Sequence, residues 1–243
     1  MTDELPPVAR LLWSGQRTSG RGPRPALTVD GIVTEAIAVA DADGIEALSM
    51  QRVAKQVGAA TMSLYRHVPN KDALISLMLD AAMKAPPALP FGDWRLAIEQ
   101  WARAMRELYS RHPWVLAVGT GNRYMGPNEA AWGEAATRAL LDGGLALNLV
   151  TETLLSVSAF TAGVARLELD PTKPRNFPGH AGPVLDPELM IEFGGVERFP
   201  ALMSVTTEGT QDRSAAHAAG AAAAVFEFGL TALIDGVANR MEE

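Results

Sequence analysis

The sequence predicts an all-α protein, with an N-terminal three-helix domain followed by a larger helical domain. Three observations carry that prediction. Apolar residues recur at three- and four-residue spacing along most of the chain, with no convincing strand-like alternation. Gly and Pro cut the pattern at Gly44, Gly58, Pro69 and Pro86-Pro87, so that the helices before residue 85 are mostly short and several of those after it long. A composition of 48% hydrophobic and 20% charged residues over 243 positions is enough to bury a sizeable core.

Residues 1–27 come first as a flexible basic arm. Residues 14–27 are rich in Gly, Pro, Ser and Arg, a mixture that builds no core, and Arg10, Arg17, Arg21 and Arg24 occur there without an acid between residues 10 and 28. Such an arm either reaches for phosphate or is a solvated tail. Thr28 caps a helix to about Ala42 with Val29, Ile32, Val33, Ala36, Ile37 and Ala40 inward, and Asp43-Gly44 ends it. Ser49 caps a second helix that Gly58 stops. A third runs from Thr61 to His67, and a fourth from Lys71 to Lys84 with Leu74, Ile75, Met78 and Leu79 inward. Pro86, Pro87 and Pro90 mark the boundary between a domain of residues 28–84 and one of residues 85–243. The second holds helices at 94–111, 113–118, 128–142, 147–167, 187–192 and 214–241, with a Pro-rich loop at 170–187.

Composition excludes several classes of chemistry. There is no cysteine, hence no disulfide framework, thiolate zinc site or cysteine nucleophile. His67, His112, His180 and His217 are too scattered for a metal pair, and no cofactor motif is present. The N-terminus lacks a signal-peptide pattern, and Glu227 interrupts the near-apolar run 218–234, so a cytoplasmic protein without a membrane span is expected. The net charge of −7 resides in residues 86–243, since residues 1–85 carry nine basic and nine acidic side chains. An acidic total therefore does not veto a local anion-binding surface.

The stretch SMQRVAKQVGAATMSLYRHVPNK at 49–71 is the informative one. Two short helices about a Gly-centred turn form a helix-turn-helix, whose second helix enters the DNA major groove. Val53, Ala54, Val57, Leu64 and Val68 share one inward face. That leaves Thr61, Met62, Ser63, Tyr65, Arg66 and His67 outward, with hydroxyls for base edges or phosphates and an arginine for guanine or phosphate. Lys71, at the mouth of the fourth helix, suits an anion, and Ser49, Gln51 and Arg52 lie where the second helix crosses the DNA backbone. Taken alone, Tyr65 also fits a rim aromatic, His67 a structural histidine and Met62 a core filler.

The string LYRHVPNKDAL at 64–74, preceded by RVAKQVGAATMS, resembles the DNA-binding domain of the tetracycline-repressor family over residues 28–84. That resemblance implies phosphate contacts from Tyr65, His67 and Lys71, and base contacts from Ala60, Thr61, Met62 and Ser63. More weakly, SRHPWV at 110–115, GPNEAAW at 126–132 and ALLDGGL at 139–145 resemble the family's C-terminal domain. The resemblance implies a homodimer joined through its eighth and last helices. In the last helix Ala222, Phe226, Leu230, Leu233 and Val237 form an apolar stripe beside Ala221, Ala223 and Gly229, which serves either such an interface or the core.

Trp101, Met105, Trp114, Trp132 and Phe160, with Arg166 as polar anchor, are expected to line a small-molecule effector pocket, although each also suits a packed core. The loop at 170–187 covers that pocket, meets the partner subunit or is solvated. The expected protein is a homodimeric repressor released from double-stranded operator DNA by an effector. The alternatives are an activator, a partner-controlled regulator or an all-α enzyme. Against the enzyme stands the absence of a nucleophile–base pair at motif spacing.

Overall fold

A computed structural model describes residues 6–14, 27–119, 123–169, 175–177, 180–181, 191–192, 194–201 and 215–242. It divides into two compact units, residues 1–144 and 145–243. The first unit contains α1 (Pro7–Trp13), α2 (Val29–Asp43), a single 3₁₀ turn (Ile45–Ala47), α3 (Met50–Gln56), α4 (Thr61–Tyr65), α5 (Lys71–Met83), α6 (Trp94–Arg111), α7 (Val115–Val118) and α8 (Pro127–Asp142). The second contains α9 (Leu147–Leu169), a ribbon of β1 (Arg175–Phe177) and β2 (His180–Ala181), α10 (Gly195–Arg198) and α11 (Ala215–Met241).

Helix starts follow local chemistry. The Thr28 hydroxyl accepts from the Gly31 amide at 3.1 Å and that of Ser49 from the Arg52 amide at 3.2 Å, as the sequence predicts. Asn70 and Asp93 do the same for α5 and α6. Gly44 and Gly58 close α2 and the α3–α4 turn with φ of +81° and +67°, a region costly for a residue with a Cβ.

Around these caps the first unit packs on α5, which meets α1, α2 and α8. Leu74, Met78 and Leu79 are buried as expected, while Ile75 is only half-buried. Ala73, Ser76, Leu77, Asp80 and Ala82 are buried too, so α5 is enclosed almost all round, as a central helix must be. In α2, Val39 rather than Ile37 joins Ile32, Val33, Ala36 and Ala40 in the core. The amphipathic α6 buries Ile98, Trp101, Ala102, Met105 and Leu108 and packs on α8.

In the second unit α9 packs along α11. The inward column of α11 is Phe226, Leu230, Ile234 and Ala238. Leu233 and Val237 are half-buried, which corrects the predicted stripe: a strict four-residue step, not mixed three- and four-residue steps, faces α9. The side chains of Ala221 and Ala222 lie outside the described residues. Phe160 stacks on Phe226 with ring centroids 5.9 Å apart, directly over Gly229, where a Cβ would strike the Phe160 ring. By length and composition α9 is apolar enough to cross a bilayer, but it buries Val150, Thr153, Val157, Val164 and Ala165, one face of an ordinary amphipathic helix.

Three other expectations are modified. Part of the supposedly structureless arm is helical: Pro7–Trp13 forms α1, while residues 15–26 lie outside the described residues. The loop at 170–187 contains the antiparallel β1–β2 pair, so strand is not wholly absent. The helix predicted at 187–192 falls mostly outside the described residues, which there include only 191–192.

Candidate nucleic-acid interface

The predicted helix-turn-helix core forms as its spacing demands. Val53, Ala54, Leu64 and Val68 are no more than 1% exposed, and Val57 is half-buried at the turn. With Leu64 and Val68 turned inward, the five-residue α4 has its other side free. Met62 is 74% exposed and Tyr65 44% exposed. Ala60 and Arg66 are exposed beside them, while Thr61, Ser63, His67 and Lys71 are half-buried. Ala60 to Ser63, Tyr65 to His67 and Lys71 thus all reach solvent on one short stretch of chain, with Leu64 alone of residues 60–67 buried.

On α3 the picture is more particular. Ser49 is engaged as the helix cap, and Arg52 is paired with Asp43 at the end of α2. Gln51 and Arg52 line an open cleft of about 810 Å³ with Ala60 and Thr61. Lys55, exposed on the same cleft, is a basic candidate that the sequence reading missed.

Of the residues expected to meet an effector, the four in the first unit are well packed. Trp101, Met105, Trp114 and Trp132 are all buried. The three indoles are already hydrogen-bonded: Trp101 Nε1 donates to the Trp132 carbonyl at 3.1 Å, Trp114 Nε1 to Asp41 Oδ1 at 2.7 Å, and Trp132 Nε1 to the Met83 carbonyl at 3.1 Å. Their ring faces, not their N–H groups, are what remain for a ligand. Phe160 and Arg166 belong to α9 in the second unit, Phe160 half-buried and Arg166 exposed. On that helix Thr161 is fully buried, and its hydroxyl has no hydrogen-bond partner.

Two polar joints tie the helix-turn-helix to α6–α8. Asp41 of α2 accepts from Trp114, and its Oδ1 also lies 2.8 Å from His112 Nδ1. Asp80 of α5 caps α8: its Oδ1 accepts from the amides of Asn128 at 2.8 Å and Glu129 at 3.1 Å, and its carboxylate and carbonyl oxygens both accept from the Asn128 side chain. Reciprocally, Trp132 of α8 donates to carbonyls at the end of α5. Burial raises the Asp80 pKa above its ordinary value, and the amide hydrogen bonds only partly oppose this.

Residues 32–78 match the family model of bacterial regulatory proteins of the tetR family, and residues 86–241 match the tetracycline repressor-like C-terminal domain. The chain belongs to the tetR family. This tetR-family chain is 40% identical over 162 residues to the transcriptional repressor DrrR1 of Streptomyces coeruleorubidus, covering 65% of the chain and 60% of DrrR1. It thus spans less than two thirds of that relative. It is 26% identical to the class E tetracycline repressor of Escherichia coli, over 89% of the chain and 93% of that protein. Among solved structures, the tetR-family protein ActR of Streptomyces coelicolor in complex with actinorhodin superposes with a TM-score of 0.69 at 27% identity, covering 91% of this chain and 100% of that one. The family is one of regulators, as the sequence analysis expects, and not of enzymes.

Within this tetR-family chain the two joints escaped the sequence reading, though each left a trace. Asp80 is the lone acid in the apolar latter part of α5, and α8 begins at Gly126-Pro127, where the residue at the N-cap has no side chain of its own to cap with. A buried acid and an uncapped helix are complementary needs. Nothing in a one-dimensional pattern joins positions 48 residues apart.

Proposed function

We propose that the chain is a homodimeric transcriptional repressor of the cytoplasm that binds double-stranded operator DNA and is released by a small-molecule effector. The observation that carries the reading is the exposed outer face of α4, whose inner face is wholly committed to the core. Tyr65, His67 and Lys71 then hold backbone phosphates, with Ser49, Gln51, Arg52 and Arg66 at the flanks, and Ala60 to Ser63 meet base edges. Two such heads on adjacent half-sites require a two-fold partner. The relatives support this: DrrR1 is a repressor, and ActR has been crystallised with actinorhodin.

Release follows from the joints. A ligand that shifts α8 or the turn before α7 also moves α5 through Asp80 and α2 through Asp41. It shifts the population only by its differential affinity for the two states, about 1–3 kcal/mol in typical couplings. Ring faces of Trp101, Trp114 and Trp132 and the thioether of Met105 supply apolar contact within the first unit in this reading. Taken by itself, α9 of the second unit offers a ligand the Phe160 ring, Arg166 and the unpartnered Thr161 hydroxyl.

The test is a gel-shift series on duplexes that the wild-type protein selects from a randomised pool. Tyr65→Phe with Lys71→Ala weakens binding to all selected duplexes evenly and flattens the salt dependence. Thr61→Ala or Met62→Ala alters which duplex is preferred. Wild-type protein that selects no duplex at low salt overturns the function. A Tyr65/Lys71 variant that changes base preference overturns the division of roles.

A further inference from the structure

The helix α1 lies outside both matched family segments, and the sequence leaves open whether the arm it belongs to reaches phosphate or is solvated. At seven residues it is too short to hold together in water by itself. Two attachments fix it to the first unit. Ala9 and Leu12 are buried, with α1 packed on α5, and the Trp13 indole N–H donates to the Met125 carbonyl at 3.0 Å, across 112 residues of chain. Trp13 itself stays 58% exposed, so the indole is placed for that hydrogen bond more than for burial.

The attachment brings a new basic side chain to the DNA-facing segment. Arg10, Leu11 and Ser14 of the α1 region line an open groove of about 510 Å³ together with Tyr65, Arg66 and His67. Among the described residues no carboxylate lines it. Arg10 and Arg66 bring positive charge, His67 a ring nitrogen, and Tyr65 and Ser14 hydroxyl donors, which together form a surface complementary to a phosphodiester. Arginine is also the side chain whose planar fork matches phosphate oxygens two at a time.

We propose that α1 is a fourth DNA-contacting element, in which Arg10, aided by Ser14, binds a backbone phosphate of the operator in the groove it shares with Tyr65, Arg66 and His67. The proposal deepens the operator-binding reading and rests on it. Trp13 acts as a positioning residue, because detaching α1 carries Arg10 away from the groove. Contacts of this kind fix register and add affinity without reading sequence.

The experiment uses the full chain on duplexes selected by the wild type. Arg10→Ala, an exposed change that leaves circular dichroism unaltered, weakens every duplex alike by roughly tenfold. It lowers the slope of log affinity against log salt by about two per dimer, at roughly 0.9 per phosphate released on each protomer. Trp13→Ala reproduces the lowered slope with Arg10 still present, and Arg10→Lys restores it. A scan with uncharged methylphosphonate linkages finds a position that weakens the wild type and leaves Arg10→Ala unaffected. An unchanged salt slope, a changed base preference or identical methylphosphonate profiles each overturn the assignment of α1. Wild-type protein that binds no duplex defeats the underlying function instead, so the two failures are told apart.

Discussion

At Asp80 a carboxylate sits in the apolar half of α5 because the amides of Asn128 and Glu129 need an acceptor that Gly126 cannot supply. The fit is close: a Cβ on Gly126 would land on the Asp80 carboxylate, so the position demands glycine for space. Asp80→Ala should cost about 2 kcal/mol by leaving buried donors unpaired, read as a lowered urea midpoint. Its pH dependence has a definite sign. A carboxyl whose pKa is raised by burial holds its proton more readily when folded than when unfolded. Its stabilisation is fully present below the ordinary value of 3.8 and is lost as pH rises through the folded value. Wild type should therefore lose stability relative to the non-titrating Asp80→Asn as pH climbs through that window, and a gap that widens instead would contradict burial as the dominant cause. At this scale the exposed face of α4 was legible, because Leu64 and Val68 fix which side turns inward. The joints were not, because each depends on partners at least 48 residues apart.

Among the elements, helix ends were the most readable feature, since capping is local: Thr28, Ser49, Gly44 and Gly58 each act within a few residues. The helix α1 was unreadable for the opposite reason. Its seven residues carry only two inward positions, Ala9 and Leu12, and what stabilises it is α5 and the Met125 carbonyl. The α9–α11 pair stands between these cases. Its small residues foretold close approach, but not that Phe160 would be the ring lying over Gly229. Gly229→Ala should push that ring off its stack on Phe226 and destabilise the second unit by about 1–3 kcal/mol, as overpacking does. Trimming the ring with Phe160→Leu should recover part of the loss, because the two changes share one contact. A melting temperature unmoved by Gly229→Ala would show that the helices do not cross here.

For the whole molecule, the distribution of charge and of uncovered apolar surface leads to one requirement. Residues 1–85 are electrically neutral while the rest carries the net −7, so a single head offers DNA only a small basic footprint. Doubling the heads is the economical remedy, and the second unit has a surface suited to it. Leu155 of α9 is 67% exposed and Phe228 of α11 78% exposed. An open groove of about 390 Å³ between these helices is lined by the small residues Ser156, Ala232 and Gly236 among larger apolar side chains and the Glu152–Arg240 ion pair. Small side chains let another helix pair come close, and apolar ones reward it. Leu155→Glu with Phe228→Glu should leave each unit folded, because neither side chain is buried within the chain. It should halve the mass seen by sedimentation and weaken binding to a two-half-site duplex by about 100-fold, the loss expected when a second tethered contact is removed. Binding to a single half-site should hardly change, since the α4 face is untouched. If the double variant sediments like the wild type, this face joins no second copy of the chain. If it becomes monomeric yet keeps full affinity for the two-half-site duplex, then one head suffices and the two-fold argument fails.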